Sequence, residues 1–294
     1  MTYLTKKDWI DYILPKLNDD NSFKEELTHM INIKYTLLKI LEDYIFSQKN
    51  NQSEKDSKSK IKNNILYSSI IYYCKYKLFY GSDFSENKKI ICISCIFLAF
   101  KETNKIIDLD WLSKKVEPYL NSDVPKKGQL QIKEIKHKIV EIEFEILYSI
   151  QFNMGIDNPY FIIRIIRVYL QKIEIDNNIK EECIELIHNY INLSILFPLF
   201  LYYTSYEIAL GSIFLVKEEK KYNFINIDEL IKLNNIQIDS NKVLQCAKYI
   251  FKITEAIKIK SLDNYSQQQQ QLYNNNNTEN NLDFGPISSI GQNH

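Results

Sequence analysis

Two runs of this chain are apolar on every side of a helix and carry small residues at matching places. The first reads Ile90-Ile91-Cys92-Ile93-Ser94-Cys95-Ile96-Phe97-Leu98, and the second reads Glu207-Ile208-Ala209-Leu210-Gly211-Ser212-Ile213-Phe214-Leu215. Aligning Ile96-Phe97-Leu98 with Ile213-Phe214-Leu215 pairs Cys92 with Ala209, Ser94 with Gly211 and Cys95 with Ser212. A helix without a polar face has to be enclosed by other helices. Small side chains mark where neighbouring backbones come close. The pattern predicts two bundles, each wrapped around one buried helix, and their shared order makes them copies of one unit.

The rest of the chain fits that frame. Glycine and proline are scarce, six of each, whereas sheet-rich folds and phosphate loops need more turn residues. Helix-length amphipathic or apolar runs are predicted over Lys24–Phe46, Asn64–Tyr80, Glu86–Lys101, Leu109–Tyr119 and Ile132–Ile150. A second set follows over Pro159–Leu170, Ile179–Ser194, Tyr206–Glu218, Ile227–Leu233 and Asn241–Ile259. Asn158 before a first-turn Pro159, Ser205 before Tyr206-Glu207, and Asp239-Ser240-Asn241 are the expected starts of three of them. The expected fold class is all-α, with tandem five-helix units over 24–155 and 156–260. An N-terminal helical extension over 1–23, with its helix near Lys7–Leu17, precedes them. Two segments are low in complexity: the polar stretch at about 47–64, read as a solvated loop, and the Gln/Asn-rich tail over 261–294, read as disordered.

Composition removes several classes of function. Lys+Arg and Asp+Glu both number 37, so direct nucleic-acid binding is not expected; the lysine-rich run Lys126–Lys138 is read as a solvated helix face. Hydrophobic residues make up 45% of the chain, enough for a core. The cysteines Cys74, Cys92, Cys95, Cys183 and Cys246 are odd in number and lie in apolar runs, which predicts free thiols in a reducing, intracellular compartment. Met1–Lys7 has no apolar signal core. The apolar stretch Leu193–Val216 contains Pro198, Thr204-Ser205 and Glu207 and is read as two buried helices with a turn, not a membrane span. Cys92-Ile93-Ser94-Cys95 has no second pair for zinc, and Glu185 with His188 has no partner pair for a di-metal site. His29 and His137 are read as solvated. No nucleophile triad or phosphate loop is present. No cofactor and no metal is expected.

Four motifs in order resemble the cyclins. Ile96-Phe97-Leu98-Ala99-Phe100-Lys101-Glu102 resembles the cyclin-box signature in which an apolar helix ends in Leu-Ala-x-Lys and an acidic residue. Glu141–Leu147 followed by Ile150-Gln151-Phe152-Asn153-Met154 resembles the fifth helix of the box and its exit. Asp157-Asn158-Pro159-Tyr160 is similar to the opening of the second box in transcription cyclins, and Phe197–Ala209 to their turn into the buried helix. The last two stretches lean toward cyclin H, with cyclin C close behind. The resemblance spans about residues 24–260. The end of the second helix, Tyr73–Tyr80, departs from the family's usual Arg-Phe-Tyr, and the polar insert is a second departure.

The resemblance implies a non-catalytic, nuclear regulatory subunit that binds and activates a cyclin-dependent kinase in RNA polymerase II transcription, with kinase activation as a further role. A cyclin H-like chain implies an assembly factor and the general transcription machinery as further partners; a cyclin C-like chain implies the Mediator kinase module. A TFIIB-type or kinase-independent helical scaffold is the reading from another class. The family's kinase-contact pair falls on Lys101 and Glu143. The residues agree with that role: Lys101 ends an apolar helix, so its ammonium should emerge beside the helix C-terminus, and Glu143 borders an apolar stripe. Charges at the margin of an apolar patch suit an interface. An intramolecular Lys–Glu bridge satisfies the same pattern. Leu98, Leu147, Phe152 and Met154 are the apolar contact candidates, with ordinary core as the alternative for each.

Overall fold

The computed structural model describes residues 15–16, 18–45, 55–80, 88–105, 107–122, 124–155, 159–233 and 238–258. The expected helix near Lys7–Leu17, Asn158 and the tail lie wholly or mostly outside them. Among the described residues all regular structure is helical. We number the helices α1 (Asp20–Lys39), α2 (Lys55–Tyr80), α3 (Lys88–Glu102), α4 (Leu109–Asn121), α5 (Ile132–Ser149), α6 (Tyr160–Gln171), α7 (Asn177–Ser194), α8 (Ser205–Lys220), α9 (Ile227–Leu233) and α10 (240–258). A π-helical turn, Ile40–Ile45, extends α1. The described residues up to Ile253 belong to one compact unit. Those from Thr254 belong to a second, of which 254–258 are described and helical.

The two apolar runs are the buried centres of their halves. Every residue of α3 from Ile90 to Phe100 is buried, and α2, α5 and α1 pack around it. Helix α8 is buried from Glu207 to Ile213 and is enclosed by α7, α6 and α9. Gly211 shows what the small residues are for: a Cβ there would stand 3.2 Å from the Ala247 backbone nitrogen of α10. The buried serines donate to the carbonyl four residues back, Ser94 to Ile90 at 3.0 Å and Ser212 to Ile208 at 2.9 Å. No polar atom of theirs is left unsatisfied in the core.

The repeat extends to how these helices stop. In α3 the Lys105 N–H donates to Phe100 O (3.0 Å) and the Asn104 N–H to Lys101 O (3.1 Å), with Asn104 left-handed at φ 52°. This is a Schellman end. In α8 the Tyr222 N–H donates to Lys217 O (3.0 Å), with Lys221 at φ 56°. Asn104 and Lys221 occupy equivalent positions in the register that aligns Ile96 with Ile213.

Three local expectations change. Helix α2 begins at Lys55, inside the stretch read as a loop. That segment has no glycine or proline, lysine is a good helix former, and Lys62 reaches Glu42 at 2.7 Å. The cap of α8 is Thr204, not Ser205. Its hydroxyl accepts from the Glu207 N–H (3.2 Å) while the Glu207 carboxylate accepts from the Thr204 N–H (2.7 Å), a capping box. His29 is half-buried, with Nε2 3.1 Å from the Tyr73 hydroxyl. Leu193–Val216 is, as expected, the end of α7, an irregular turn and α8. No helix among the described residues is long and apolar enough to cross a membrane.

Tyr160 joins elements from both halves. Its ring meets Tyr67 of α2 edge-on at 5.9 Å and stacks on His188 of α7 at 5.6 Å, and its hydroxyl donates to Asn192 Oδ1. The Asn192 carbonyl also accepts from Lys34 of α1 at 3.2 Å.

Candidate functional site

The fold brings Lys101 at the end of α3 together with Glu143 in the body of α5. Helix α5 starts in a fixed place: the Glu134 carboxylate accepts from the Gln131 N–H at 2.7 Å. The Asn121 side chain holds Leu130 just before it through two bonds of 2.9 and 3.0 Å. From there Ile135, Ile139, Ile142, Ile146 and Ser149 turn inward. Their spacing leaves Glu143 on the shoulder facing α3.

Lys101 Nζ is 2.6 Å from Glu143 Oε1. The lysine side chain is 47% exposed and the glutamate only 7%. The ammonium also stands 4.3 Å from the centre of the Phe97 ring. The carboxylate is thus held inside the shoulder, and the cation caps it from the solvent side. The intramolecular bridge left open by the sequence forms here, and it leaves the lysine cation half-exposed beside α5.

The apolar candidates separate into three positions. Leu98 is fully buried within the core and backs the surface without forming it. Leu147 and Met154 are half-buried against the core. Phe152 is 61% exposed. Its placement follows from the end of α5: the Phe152 N–H donates to Leu147 O (2.8 Å) and the Gln151 N–H to Tyr148 O (3.0 Å). Gln151 and Phe152 are both left-handed, at φ 54° and 57°. Residues with a Cβ adopt that conformation at a cost of roughly 1–2 kcal/mol each, and here it turns the Phe152 ring outward.

Two residues of this surface were missed. Phe144 is 62% exposed and Tyr148 lies one turn beyond it on the same face. The apolar stripe that Glu143 borders turns inward without Phe144. The spacing of 144 and 148, opposite the inward isoleucines, was the available signal.

All five cysteines are buried free thiols, and burial raises the Cys92 thiol to about 12. Among the described residues no group of three or more His, Cys, Asp or Glu side chains converges.

A double bundle of helices around two buried centres is the all-α cyclin fold, and comparison with solved structures identifies it. A chain of the yeast TFIIK (Kin28/Ccl1/Tfb3) complex is similar with a TM-score of 0.53 and 19% identity, over 86% of this chain and 96% of that one. A chain of the CAK complex from Chaetomium thermophilum, bound to ATP-gamma-S, is similar with a TM-score of 0.53 and 12% identity, over 79% of this chain and 64% of that one. No protein-family model matches the sequence, and no curated protein matches it.

Proposed function

We propose that this chain is a cyclin H-like regulatory subunit that binds and activates a cyclin-dependent kinase acting in RNA polymerase II transcription. The observation that carries the reading is the Lys101–Glu143 pair beside the exposed Phe144 and half-buried Leu147 of α5. Solved chains of the TFIIK (Kin28/Ccl1/Tfb3) complex and of a CAK complex bound to ATP-gamma-S share this fold, which supports the same partner class. The chain itself catalyses nothing; all phosphoryl-transfer groups belong to the kinase. Residues 24–155 and 156–260 are its two cyclin boxes, and its place of action is the nucleus.

In this reading Lys101, Glu143, Leu147, Phe152 and Met154 contact the kinase, with Leu98 supporting them from beneath. The surface holds the kinase's mobile regulatory helix inward and shifts the kinase population toward the active arrangement. That places the kinase's own Lys–Glu pair for phosphoryl transfer. The apolar contacts supply affinity and the charges set register.

A charge swap separates a kinase-contact pair from a purely internal bridge. Lys101→Glu with Glu143→Lys retains an internal ion pair but reverses the sign offered to a partner. Kinase co-purification is expected to fall at least about tenfold, with unchanged helical content by circular dichroism. Binding equal to the unmodified protein would remove these residues from the contact.

A further inference from the structure

The two halves part at their fourth helix. Helix α4 of the first has 13 residues, and α9 of the second has 7. Beside the short helix, the seam between α8 and α10 holds a cleft of about 250 Å³, walled by Phe214, Ile227, Ile231, Val243 and Leu244. Phe214 pairs in register with Phe97, which is 5% exposed, yet Phe214 is only half-buried. An apolar cavity of about 150 Å³ takes a benzene ring, so the cleft has room for a large apolar side chain.

The cleft opens onto a face with a sign. Leu244, Lys248 and Phe251 follow one another at helical spacing along α10. Leu244 is 41% exposed and Phe251 50%. Lys248 is exposed, and half-buried Lys217 lines the cleft itself. Over residues 240–253, α10 carries Lys242, Lys248 and Lys252 and no acid, in a chain of zero net charge. Lys252 is taken by Asp20 at 2.7 Å. No ion pair forms at Lys217, Lys242 or Lys248 among the described residues. Asp228 also lines the cleft; in the first turn of α9 it complements the helix dipole.

An apolar cleft beside exposed apolar side chains and unpaired lysines fits an amphipathic segment, its anchor in the cleft and its acids on the lysines. A lipid headgroup or a nucleic-acid backbone would meet the lysines and leave the cleft unfilled. We propose that the α8–α10 cleft and the outer stripe of α10 form a docking site for an acidic, amphipathic peptide segment of a protein other than the kinase. Its apolar anchor seats against Phe214 and Leu244, its carboxylates pair with Lys217 and Lys248, and a second apolar side chain covers Phe251. The site is built from the second half alone, whereas Lys101 and Glu143 belong to the first.

The test selects binders for the purified full chain from phage displaying random peptides about four helical turns long. Enriched peptides should combine large apolar residues with Asp or Glu. One of them is synthesised, and its affinity is measured by fluorescence anisotropy against three forms: the unmodified chain, Leu244→Ala with Phe251→Ala, and Lys217→Glu with Lys248→Glu. The four side chains are exposed or half-buried, so circular dichroism and melting temperature should match the unmodified chain. Each variant is expected to bind at least about tenfold more weakly, and added salt should weaken binding to the unmodified chain. Retained affinity in either variant, enrichment of basic peptides, or no enrichment would overturn the site. A dimer in sedimentation velocity that dissociates on Leu244→Ala with Phe251→Ala would put a second copy of this chain in place of the peptide. Loss of a co-expressed cyclin-dependent kinase in either variant would assign the face to that kinase and overturn the separate partner.

Discussion

At the scale of single residues, the charged groups of α1 and α2 form a polar cluster beside the core. Glu26 is buried and accepts from Lys16 at 2.5 Å and Lys77 at 3.1 Å. Burial pushes its carboxyl up, but the two lysines outweigh that and hold it below the ordinary value. His29, one turn on, is lowered to about 4, chiefly by burial and then by Lys77. Both shifts act in one direction on stability. An unfolded histidine binds a proton near pH 6.5 while the folded one stays neutral, so stability is lost as pH falls from about 6.5 toward 4. The depressed Glu26 adds a further loss below its unfolded value. Melting temperature is therefore expected to decline steadily over that window, and His29→Gln should flatten the upper part of the decline. An unchanged slope in the variant would assign the loss to other groups. The histidine was not legible in the sequence, because its charged neighbours on α1 concealed that its ring turns toward Tyr73. Lys101 and Glu143 were legible as a pair at a margin. Their direct 2.6 Å contact needed the packing of α3 on α5.

At the scale of elements, the helix centres were written plainly and the helix ends were not. A run such as Ile90–Leu98 admits one environment, whereas Ser205 and Thr204 are both good caps. Only the reciprocal bond with Glu207 decides between them. Helix α5 carries two apolar stripes, one inward through Ile135, Ile139, Ile142 and Ile146 and one outward through Phe144 and Tyr148. Residue type alone does not say which stripe meets the core. The end of α5 offers a direct check. Gln151 sits at the left-handed position of a Schellman motif, where glycine has no steric penalty. Gln151→Gly is expected to raise stability by about 0.5–1 kcal/mol in urea unfolding. It should leave kinase binding intact if the turn's geometry, not its strain, presents Phe152. A destabilised variant would mean that the Gln151 side chain contributes more than its conformation costs.

At the scale of the whole molecule, the duplicated buried helix carried the fold class. The repeat is borne out in packing, in the close approach at Gly211 and in the matched ends at Asn104 and Lys221. What the pattern did not reveal is how elements of the two halves meet. Tyr160 was noted only as part of a motif, yet it contacts Tyr67, His188 and Asn192. Contacts between residues far apart in sequence leave no local period. The tail over 261–294 and residues 1–14 of the N-terminal extension lie outside the described residues. A fold does not by itself give a function, so the function is argued from the surface residues. The most direct measurement is co-expression of the unmodified chain with a transcription-type cyclin-dependent kinase, followed by size-exclusion chromatography and a phosphorylation assay on a polymerase-tail peptide. A stable one-to-one complex with kinase activity well above that of the kinase alone is predicted. A chain that elutes by itself and leaves the kinase no more active would contradict the proposed function.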